Sequence, residues 1–440
     1  MKGNSFVGEQ PENQRWSIKK QKVYFDWNPN NELGTSTYYW KNGLTKPELA
    51  TASDAAFSKF DFKKTSSPDL YYYIDKGRLF SYSLKTKISK KMYQQSSPIS
   101  GLQMGYQAGV LYFRQNENLF QFNTNEGSII QLTNFRKGKG EDVTKEKESF
   151  LKSQQQELFQ FVRDQEALKK WNLAKSKTTK SDFPKPYYYE NNSLGSLKVN
   201  PKGNFATFRL VQDSERKNEK MELFITADGY NQVVDTKAKV SVDNLLATKF
   251  GIYSVARDSV YFVNFSSLSH IQDVPKYLES DEKSKNTEKK DKLIVVQEPI
   301  YNESGSYAIS EIRSQDNKDR WIVSLNLENG TFQELDHQHD EAWIGGPGIP
   351  SNSYGRGTLG FLGDNETFYF QSEATGYSHL YTYNLKSKKK VQLTKGNWEV
   401  RDVTLAKDKK SFYLTTNTTH PGNRNFYKME VSNAILQPIL

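Results

Sequence analysis

The sequence predicts an all-β protein, a β-propeller of seven or eight blades with eight preferred, on three observations. Aromatic residues make up 13% of the 440 residues, with 26 Tyr and 26 Phe, and such residues suit the pleated, half-buried surfaces of strands. A strand pattern recurs at the length of a four-stranded blade. Gly, Asn and Asp mark the turns between strands. We assign residues 1–440 to this one domain.

The repeat places a short aromatic strand before an alternating strand, and the last strand often ends in Gln-Leu-Thr. Tyr72 and Tyr112 occupy equivalent positions 40 residues apart, and Tyr369 and Tyr413 lie 44 residues apart. A propeller blade of the four-stranded type has about this length, whereas a pair of stacked β-sandwiches gives no reason for such a period. The pattern assigns eight units, at residues 15–55, 56–96, 97–138, 192–240, 245–300, 300–340, 341–395 and 396–440.

Two insertions interrupt the repeat. Apolar residues at helical spacing predict a helix over residues 141–175, which Pro184 closes off before the next strand. This helix is interpreted as a buttress on the propeller rim, with a contact to a partner or domain as the alternative. Residues 279–292 are a charged low-complexity run, which indicates an exposed loop.

Composition excludes several classes of partner. The formal charge of +10 is spread over Lys-rich loops with interleaved acids, whereas a nucleic-acid surface clusters its charge, so no nucleic-acid partner is expected. No run of 18 apolar residues occurs, so no membrane span is expected. The first ten residues lack the apolar core of a signal peptide. Cysteine is absent, which excludes disulfides and thiolate chemistry.

No catalytic centre is predicted in this chain. An α/β-hydrolase nucleophile requires a G-x-S-x-G elbow, and the sequence contains none. Ser378, in Gly376-Tyr377-Ser378-His379, lacks the trailing Gly and is interpreted as a turn residue between two strands. With five His in the whole chain, a complete Ser-His-Asp triad is not expected.

Metal and cofactor sites are also not predicted. His337 and His339 share one face of a strand beside Asp340, but zinc needs further ligands, so a polar strand end is preferred. The Gly-rich run at residues 345–348 contains Pro where a phosphate loop needs backbone donors. A carbohydrate-active propeller is the remaining alternative, because its catalytic carboxylates would come from different blades and would share no sequence motif.

One segment carries a specific resemblance. Ser372-Glu373-Ala374-Thr375-Gly376-Tyr377-Ser378-His379-Leu380-Tyr381, followed by Leu393-Thr394-Lys395-Gly396-Asn397-Trp398-Glu399-Val400, is similar to S-E-x-x-G-x-x-H-L-Y and L-T-x-G-x-W-E-V. These patterns resemble the late blades of the N-terminal propeller of the prolyl oligopeptidase family, in its dipeptidyl peptidase IV branch. The likeness covers roughly residues 55–440 and is strongest over residues 340–430.

The resemblance implies a serine peptidase whose catalytic Ser, Asp and His lie in a C-terminal α/β-hydrolase domain. Because the sequence given ends at Leu440 without that machinery, we expect a truncated chain that lacks the hydrolase domain and is inactive alone. The family's propeller caps the active site, and in this branch a D-W-x-Y-E-E segment offers a glutamate pair to the substrate's amine. That segment does not occur here.

Three residues are the candidates for peptide binding. Arg356 lies in a Gly-flanked loop ahead of the family motif, where its guanidinium could reach a substrate carbonyl or carboxylate. Glu373 could bind an ammonium group, or it could brace the turn with His379. Trp343 would form a wall of the site.

The predicted function is therefore a propeller that gates and orients peptide substrates of a serine exopeptidase, a dipeptidyl aminopeptidase-like activity in proteolysis. The resemblance implies a periplasmic or secreted location, a peptide substrate and a homodimer as one option. A standalone propeller that binds a protein partner in the cell envelope is the alternative function.

Overall fold

A computed structural model describes residues 10–19, 21–140, 167–168, 171, 183–212, 218–237, 246–276 and 290–439. The chain divides into two compact units, Met1–Asn116 with Phe120–Ile129, and Glu117–Leu119 with Ile130–Leu440. Both units consist mainly of antiparallel sheets whose strands lie side by side in chain order.

The described residues up to Gln131 form three four-stranded sheets. The first contains β1 (Glu12–Trp16), β2 (Lys22–Trp27), β3 (Ser36–Lys41) and β4 (Glu48–Leu49). The second contains β5 (Lys63–Lys64), β6 (Leu70–Asp75), β7 (Arg78–Ser83) and β8 (Ser89–Tyr93). The third contains β9 (Ile99–Met104), β10 (Val110–Gln115), β11 (Asn118–Asn123) and β12 (Ser128–Gln131).

A short helix that the sequence analysis did not predict, α1 (Ala52–Ser58), lies between the first and second sheets. It begins after Thr51, whose hydroxyl accepts a hydrogen bond from the Asp54 N–H at 3.1 Å.

Four further sheets follow. The fourth contains β15 (Asn192–Val199), β16 (Phe205–Gln212), β19 (Thr248–Ser254) and β20 (Ser259–Phe262). The fifth contains β21 (Ile294–Val296), β22 (Ile300–Tyr301), β23 (Ala308–Ser314), β24 (Asp319–Asn326) and β25 (Thr331–His339). The sixth contains β26 (Leu359–Phe361), β27 (Thr367–Ser372), β28 (His379–Asn384) and β29 (Lys389–Gln392). The seventh contains β30 (Val400–Leu405), β31 (Ser411–Thr416), β32 (Asn425–Glu430) and β33 (Leu436–Pro438).

Seven sheets of this kind are present in the described residues, so the all-β repeat is confirmed and the preference for eight units is corrected to seven. The units predicted at 192–240 and 245–300 supply a single sheet, because β16 pairs with β19 from Phe205↔Ser254 to Val211↔Thr248. The residues between these two strands include a separate hairpin, β17 (Lys220–Leu223) with β18 (Gln232–Asp235). The sequence does not reveal this insertion, because a hairpin strand has the same alternating period as a blade strand.

The predicted helix at 141–175 lies outside the described residues, apart from Ala167, Leu168 and Trp171, which are helical. Most of the predicted charged loop at 279–292 also lies outside them. The residues flanking the first of these segments meet as a short parallel pair, β13 (Phe135–Arg136) with β14 (Tyr187–Tyr188).

Each unit has its own apolar core. In the first unit, Tyr72, Leu79, Leu111 and Phe113 are buried together. Among the described residues of the second unit, three of the buried clusters lie between neighbouring sheets. One surrounds Trp321, another contains Ile309, Ile322, Phe368 and Phe370, and the third contains Leu380, Val400, Phe412, Leu414 and Met429.

Candidate functional site

The segment that joins β25 to β26, residues 340–358, carries two of the three predicted peptide-binding residues. Trp343 lies near its start and is 54% exposed, and Arg356 lies near its end and is also exposed. The third residue, Glu373, directly follows β27 and is partly buried. All three therefore belong to the fifth and sixth sheets and the segment between them.

Buried side chains of the fifth sheet hold this connecting segment in place. The Arg313 guanidinium on β23 donates to the Ile344 carbonyl at 2.8 Å and to the Pro350 carbonyl at 3.1 Å. The Gly357 N–H donates to Glu311 Oε2 at 2.9 Å. Because the segment is fixed at its start, middle and end, the positions of Trp343 and Arg356 are set by buried residues.

The sixth sheet holds the same segment from its other side. Ser378 is fully buried and donates its hydroxyl proton to the Pro347 carbonyl at 2.8 Å. The Gln371 side chain donates to the Val400 carbonyl at 2.8 Å and accepts from the Thr358 hydroxyl at 2.5 Å. Ser378 thus helps to hold the connecting segment from its place between β27 and β28.

Glu311, Arg313 and Arg320 form a fully buried charged group beneath the segment. Arg320 Nη2 contacts Glu311 Oε2 at 2.9 Å, and Arg320 Nη1 donates to the Gln371 carbonyl at 2.7 Å. Burial is the main cause that lowers the pKa of Arg313, while Glu311 opposes it. Two cations held around one carboxylate link strands β23, β24 and β27 to the connecting segment.

The Glu373 carboxylate lies against the connecting segment beside Gly346. A Cβ atom at Gly346 would lie 2.3 Å from Glu373 Oε1, and Gly346 has a φ of 129°. The backbone conformation therefore favours glycine at this position, and a side chain here would also displace the Glu373 carboxylate. Burial, followed by the charges of Glu399 and Asp340, raises the pKa of Glu373.

His379, which the sequence analysis considered together with Glu373, has both ring nitrogens next to other partners. Its Nδ1 lies 3.0 Å from the Thr394 hydroxyl and its Nε2 lies 3.0 Å from the Gly396 carbonyl. The His of the H-L-Y motif therefore ties β28 to the turn before Trp398, and the Glu373 carboxylate faces Gly346 instead.

Arg356 contacts a different neighbour. Its guanidinium lies 3.5 Å from the Glu298 carbonyl, in the loop between β21 and β22. The Glu298 carboxylate in turn accepts from Lys198 at 2.7 Å. The structure thus groups Glu373 with Asp340 and Glu399 and places Arg356 in a basic group that includes Lys198. Sequence reasoning missed the second group, because its members are about 100 residues apart and share no motif.

The two histidines that resemble a metal clip converge on one carboxylate. His337 Nε2 and His339 Nδ1 lie 2.9 Å and 2.8 Å from Asp319 Oδ1, and Lys292 also contacts this buried residue. Burial alone would raise the pKa of Asp319, but hydrogen bonds from His337, Lys292 and His339 outweigh it and lower the pKa to about 2. Among the described residues, no group of three or more His, Asp or Glu side chains is arranged to hold a metal ion.

A cavity of about 540 Å³ lies away from the candidate residues. The β15–β16 turn and the ends of β24 and β25 line it, with Asn200, Asn204, Asn326 and Gln333 among its polar residues. In the part of the chain that the structure describes, no helix is long and apolar enough to cross a membrane.

Comparison with known proteins gives a sequence match in the same region as the candidate site. Residues 284–439 match the family described as the dipeptidyl peptidase IV (DPP IV) N-terminal region. A dipeptidyl peptidase 4 from Trichophyton equinum is 27% identical over 121 residues, which is 27% of this chain and 15% of that protein. A dipeptidyl peptidase 4 from Arthroderma otae is 30% identical over 101 residues, which is 23% of this chain and 12% of that protein.

Solved structures extend the likeness to the whole fold. A protein from Bacteroides ovatus assigned as a dipeptidyl aminopeptidase IV superposes with a TM-score of 0.53 at 14% identity. The superposition covers 97% of this chain and 53% of that protein. Porphyromonas gingivalis dipeptidyl peptidase 4 gives a TM-score of 0.50 at 10% identity, covering 98% of this chain and 53% of that protein. This chain thus spans about half the length of these proteins.

The seven sheets correspond to the seven blades of a β-propeller, which confirms the predicted fold class. The family match coincides with the segment in which the sequence motifs were found. Residues 284–439 are therefore similar in sequence to the dipeptidyl peptidase IV N-terminal region, and the chain shares the β-propeller fold of the two solved structures.

Proposed function

We propose that this propeller filters and orients peptides for a serine exopeptidase of the dipeptidyl aminopeptidase kind and does not itself break the peptide bond. A hydrolase domain supplies the nucleophile, since the sequence given contains no G-x-S-x-G elbow. The family match and the resemblance to peptidase propellers support this role. The proposed location is the periplasm or the cell exterior.

The rigid support of residues 340–358 is the observation that carries the proposal. Side chains that position a ligand must themselves be fixed, because a misplacement of about 1 Å weakens catalysis strongly. Arg313, Glu311 and Gln371 fix this segment from two sheets. Trp343 and Arg356 remain exposed on it.

In this proposal Glu373 receives the free amino group of the peptide. Asp340 and Glu399 lie close enough to raise the pKa of Glu373, so the three carboxylates create a negative potential. An ammonium group bound there would relieve their mutual repulsion. Trp343 lies near the start of the connecting segment, residues 340–358, and would form an apolar wall for the side chain of the peptide's first residue.

The test uses this chain as purified, together with an Ala-Pro arylamide and a fluorophosphonate probe. We expect no arylamide turnover and no covalent labelling by the probe. A polypeptide that joins this chain to a G-x-S-x-G hydrolase domain should show both. Turnover by this chain that the fluorophosphonate abolishes would overturn the proposal.

A second candidate, a propeller that binds a protein partner in the cell envelope, has one observation in its favour. The β17–β18 hairpin and its turn expose Phe224, Ile225 and Tyr230, which are 71%, 96% and 77% exposed. Isolated two-stranded hairpins are marginally stable in water, so a contact that covers these side chains would stabilise it. A second copy of the chain in a homodimer is the other occupant that we propose for this surface, and a measurement of mass distinguishes the homodimer from a complex with a heterologous partner.

A further inference from the structure

Three cationic side chains meet around Glu298, in the loop between β21 and β22. Lys198 Nζ on β15 lies 2.7 Å from Glu298 Oε1. The Arg356 guanidinium lies 3.5 Å from the Glu298 carbonyl oxygen. The charge of Glu298 also acts on Arg209, on β16. The fourth sheet and the segment that joins β25 to β26 therefore bring Lys198, Arg209 and Arg356 close to the β21–β22 loop.

The charges in this group do not balance. Among the residues that the structure describes, Glu298 is the one carboxylate within ion-pair distance of any of the three cations. Three positive charges and one negative charge leave a net charge of plus two. The side chains of Lys198 and Glu298 are 24% and 39% exposed, so an anion can approach them from solvent. A second carboxylate would bring the group close to neutrality.

Arg209 is held in place for such a contact. Its Nη1 donates to the Val296 carbonyl at 3.1 Å, and its guanidinium carbon lies 5.4 Å from the centre of the Tyr354 ring. Its buried Nε has no hydrogen-bond partner within the described residues. Burial lowers the pKa of Arg209, and an added anion would counteract that effect. A preorganised guanidinium loses little freedom when it binds a carboxylate.

We propose that Lys198, Arg209 and Arg356 form a carboxylate-binding site that selects peptides bearing a negative charge away from the amino terminus. The carboxylate comes from the peptide's own C-terminus or from an Asp or Glu side chain. This inference rests on the proposed function for the identity of the ligand as a peptide, and it adds the substrate class. Planar guanidinium groups bind carboxylates through paired N–H groups, which favours this ligand over a neutral one.

The experiment measures binding of N-acetylated tripeptides to the purified chain by isothermal titration calorimetry. Acetylation removes the ammonium group, so the result does not depend on Glu373. Acetyl-Ala-Ala-Ala with a free C-terminus tests the terminal carboxylate, and acetyl-Ala-Glu-Ala amide tests the side chain. Acetyl-Ala-Ala-Ala amide is the neutral control. We expect at least one carboxylate peptide to bind about tenfold more tightly than the control, and its affinity to fall as salt is added.

One variant that removes a positive charge and one that removes a negative charge distinguish an electrostatic effect on binding from damage to the fold. Arg356→Gln should weaken binding of the carboxylate peptide about fivefold, whereas Glu298→Gln should strengthen it, because it removes the competing carboxylate. Lys249→Gln, an exposed charge on β19 of the fourth sheet, is the matched control and should change affinity less than about twofold. Equal binding of the carboxylate and amide peptides, or weakening by Glu298→Gln equal to that by Arg356→Gln, would overturn the proposal.

Discussion

Arg320 donates from Nη2 to Glu311 Oε2 at 2.9 Å, and both side chains are fully buried. Glu311 Oε2 also accepts the Gly357 N–H at 2.9 Å. This ion pair therefore joins the inside of the fifth sheet to the segment that carries the candidate peptide-binding residues. Stability and site geometry depend on the same carboxylate.

Removal of Glu311 should destabilise the second unit strongly. Glu311→Ala leaves Arg320 buried without its charged partner, and breaking a buried pair in this way costs about 3–5 kcal/mol. Chemical denaturation followed by tryptophan fluorescence measures the change. Glu366→Ala, at an exposed turn, is the control and should cost less than about 1 kcal/mol. A loss from Glu311→Ala as small as that of the control would contradict the structural role given to the pair.

Asp319 should make stability depend on pH in the acid range. Its pKa is about 2 in the folded protein against an ordinary 3.8, so its contribution is complete above about pH 5 and is lost as the pH falls through about 2. The shift corresponds to about 2 kcal/mol. Asp319→Asn should therefore lower the free energy of unfolding by about that amount near pH 6 and flatten its fall in acid.

The same variant should also change the behaviour of His339. Burial lowers the pKa of His339, but hydrogen bonds to Asp319 and Glu341 outweigh burial and raise it. The protonated His339 therefore contributes to the free energy of unfolding below the ordinary histidine pKa, and this contribution is lost as the pH rises through the raised pKa. Denaturation curves measured from acid to mildly alkaline pH test both effects, with Asp235→Asn, at an exposed position of β18, as the control. An unchanged pH profile for Asp319→Asn would contradict the assignment.

Gly346→Ala should disturb Glu373 more than backbone strain alone would. The new Cβ would lie 2.3 Å from Glu373 Oε1, and the φ of 129° disfavours a side chain. Gly376→Ala is a matched control, because Gly376 has a φ of 88° but a Cβ added there would meet no atom within 4 Å. We expect about 1–3 kcal/mol of strain in both variants and weaker binding of free-amine peptides only in Gly346→Ala. Equal peptide binding by the two variants would contradict the contact.

Removing apolar side chains from the β17–β18 hairpin should dissociate the proposed homodimer. Phe224→Ser combined with Ile225→Ser removes the two neighbouring side chains, which are 71% and 96% exposed. Light scattering of the purified chain should show a dimer for the parent and a monomer for the variant. Leu33→Ser, at another fully exposed apolar residue, should stay dimeric. A monomeric parent protein would rule out the homodimer.

Local features of the fold could be predicted from the sequence because adjacent residues determine them. Asp75-Lys76-Gly77 indicates a tight turn, and Lys76 and Gly77 adopt φ values of 46° and 72° between the paired strands β6 and β7. The blade count could not be read in the same way. The pairing of β16 with β19 depends on which of several similar strands packs best, and the hairpin between them has no distinct pattern.

The candidate site was predicted only in part for the same reason. Arg356, Glu373 and Trp343 were found from their positions near a motif, and they remain predictions. Glu399 also lies within that motif, but its charge next to Glu373 becomes apparent only in three dimensions. Lys198 and Glu298 are separated by about 100 residues, and no local pattern indicates that they pair.

The proposed role of this propeller is tested most directly by measuring whether Glu373 binds the amino group of a peptide. Calorimetric titration of the purified chain should show binding of Ala-Pro-Ala and at least about tenfold weaker binding of its N-acetylated form, with the peptide recovered intact. Glu373→Gln should remove this difference, and Glu366→Gln should preserve it. Equal binding of the free and acetylated peptides by the parent chain, or cleavage of Ala-Pro-Ala during the titration, would contradict that role.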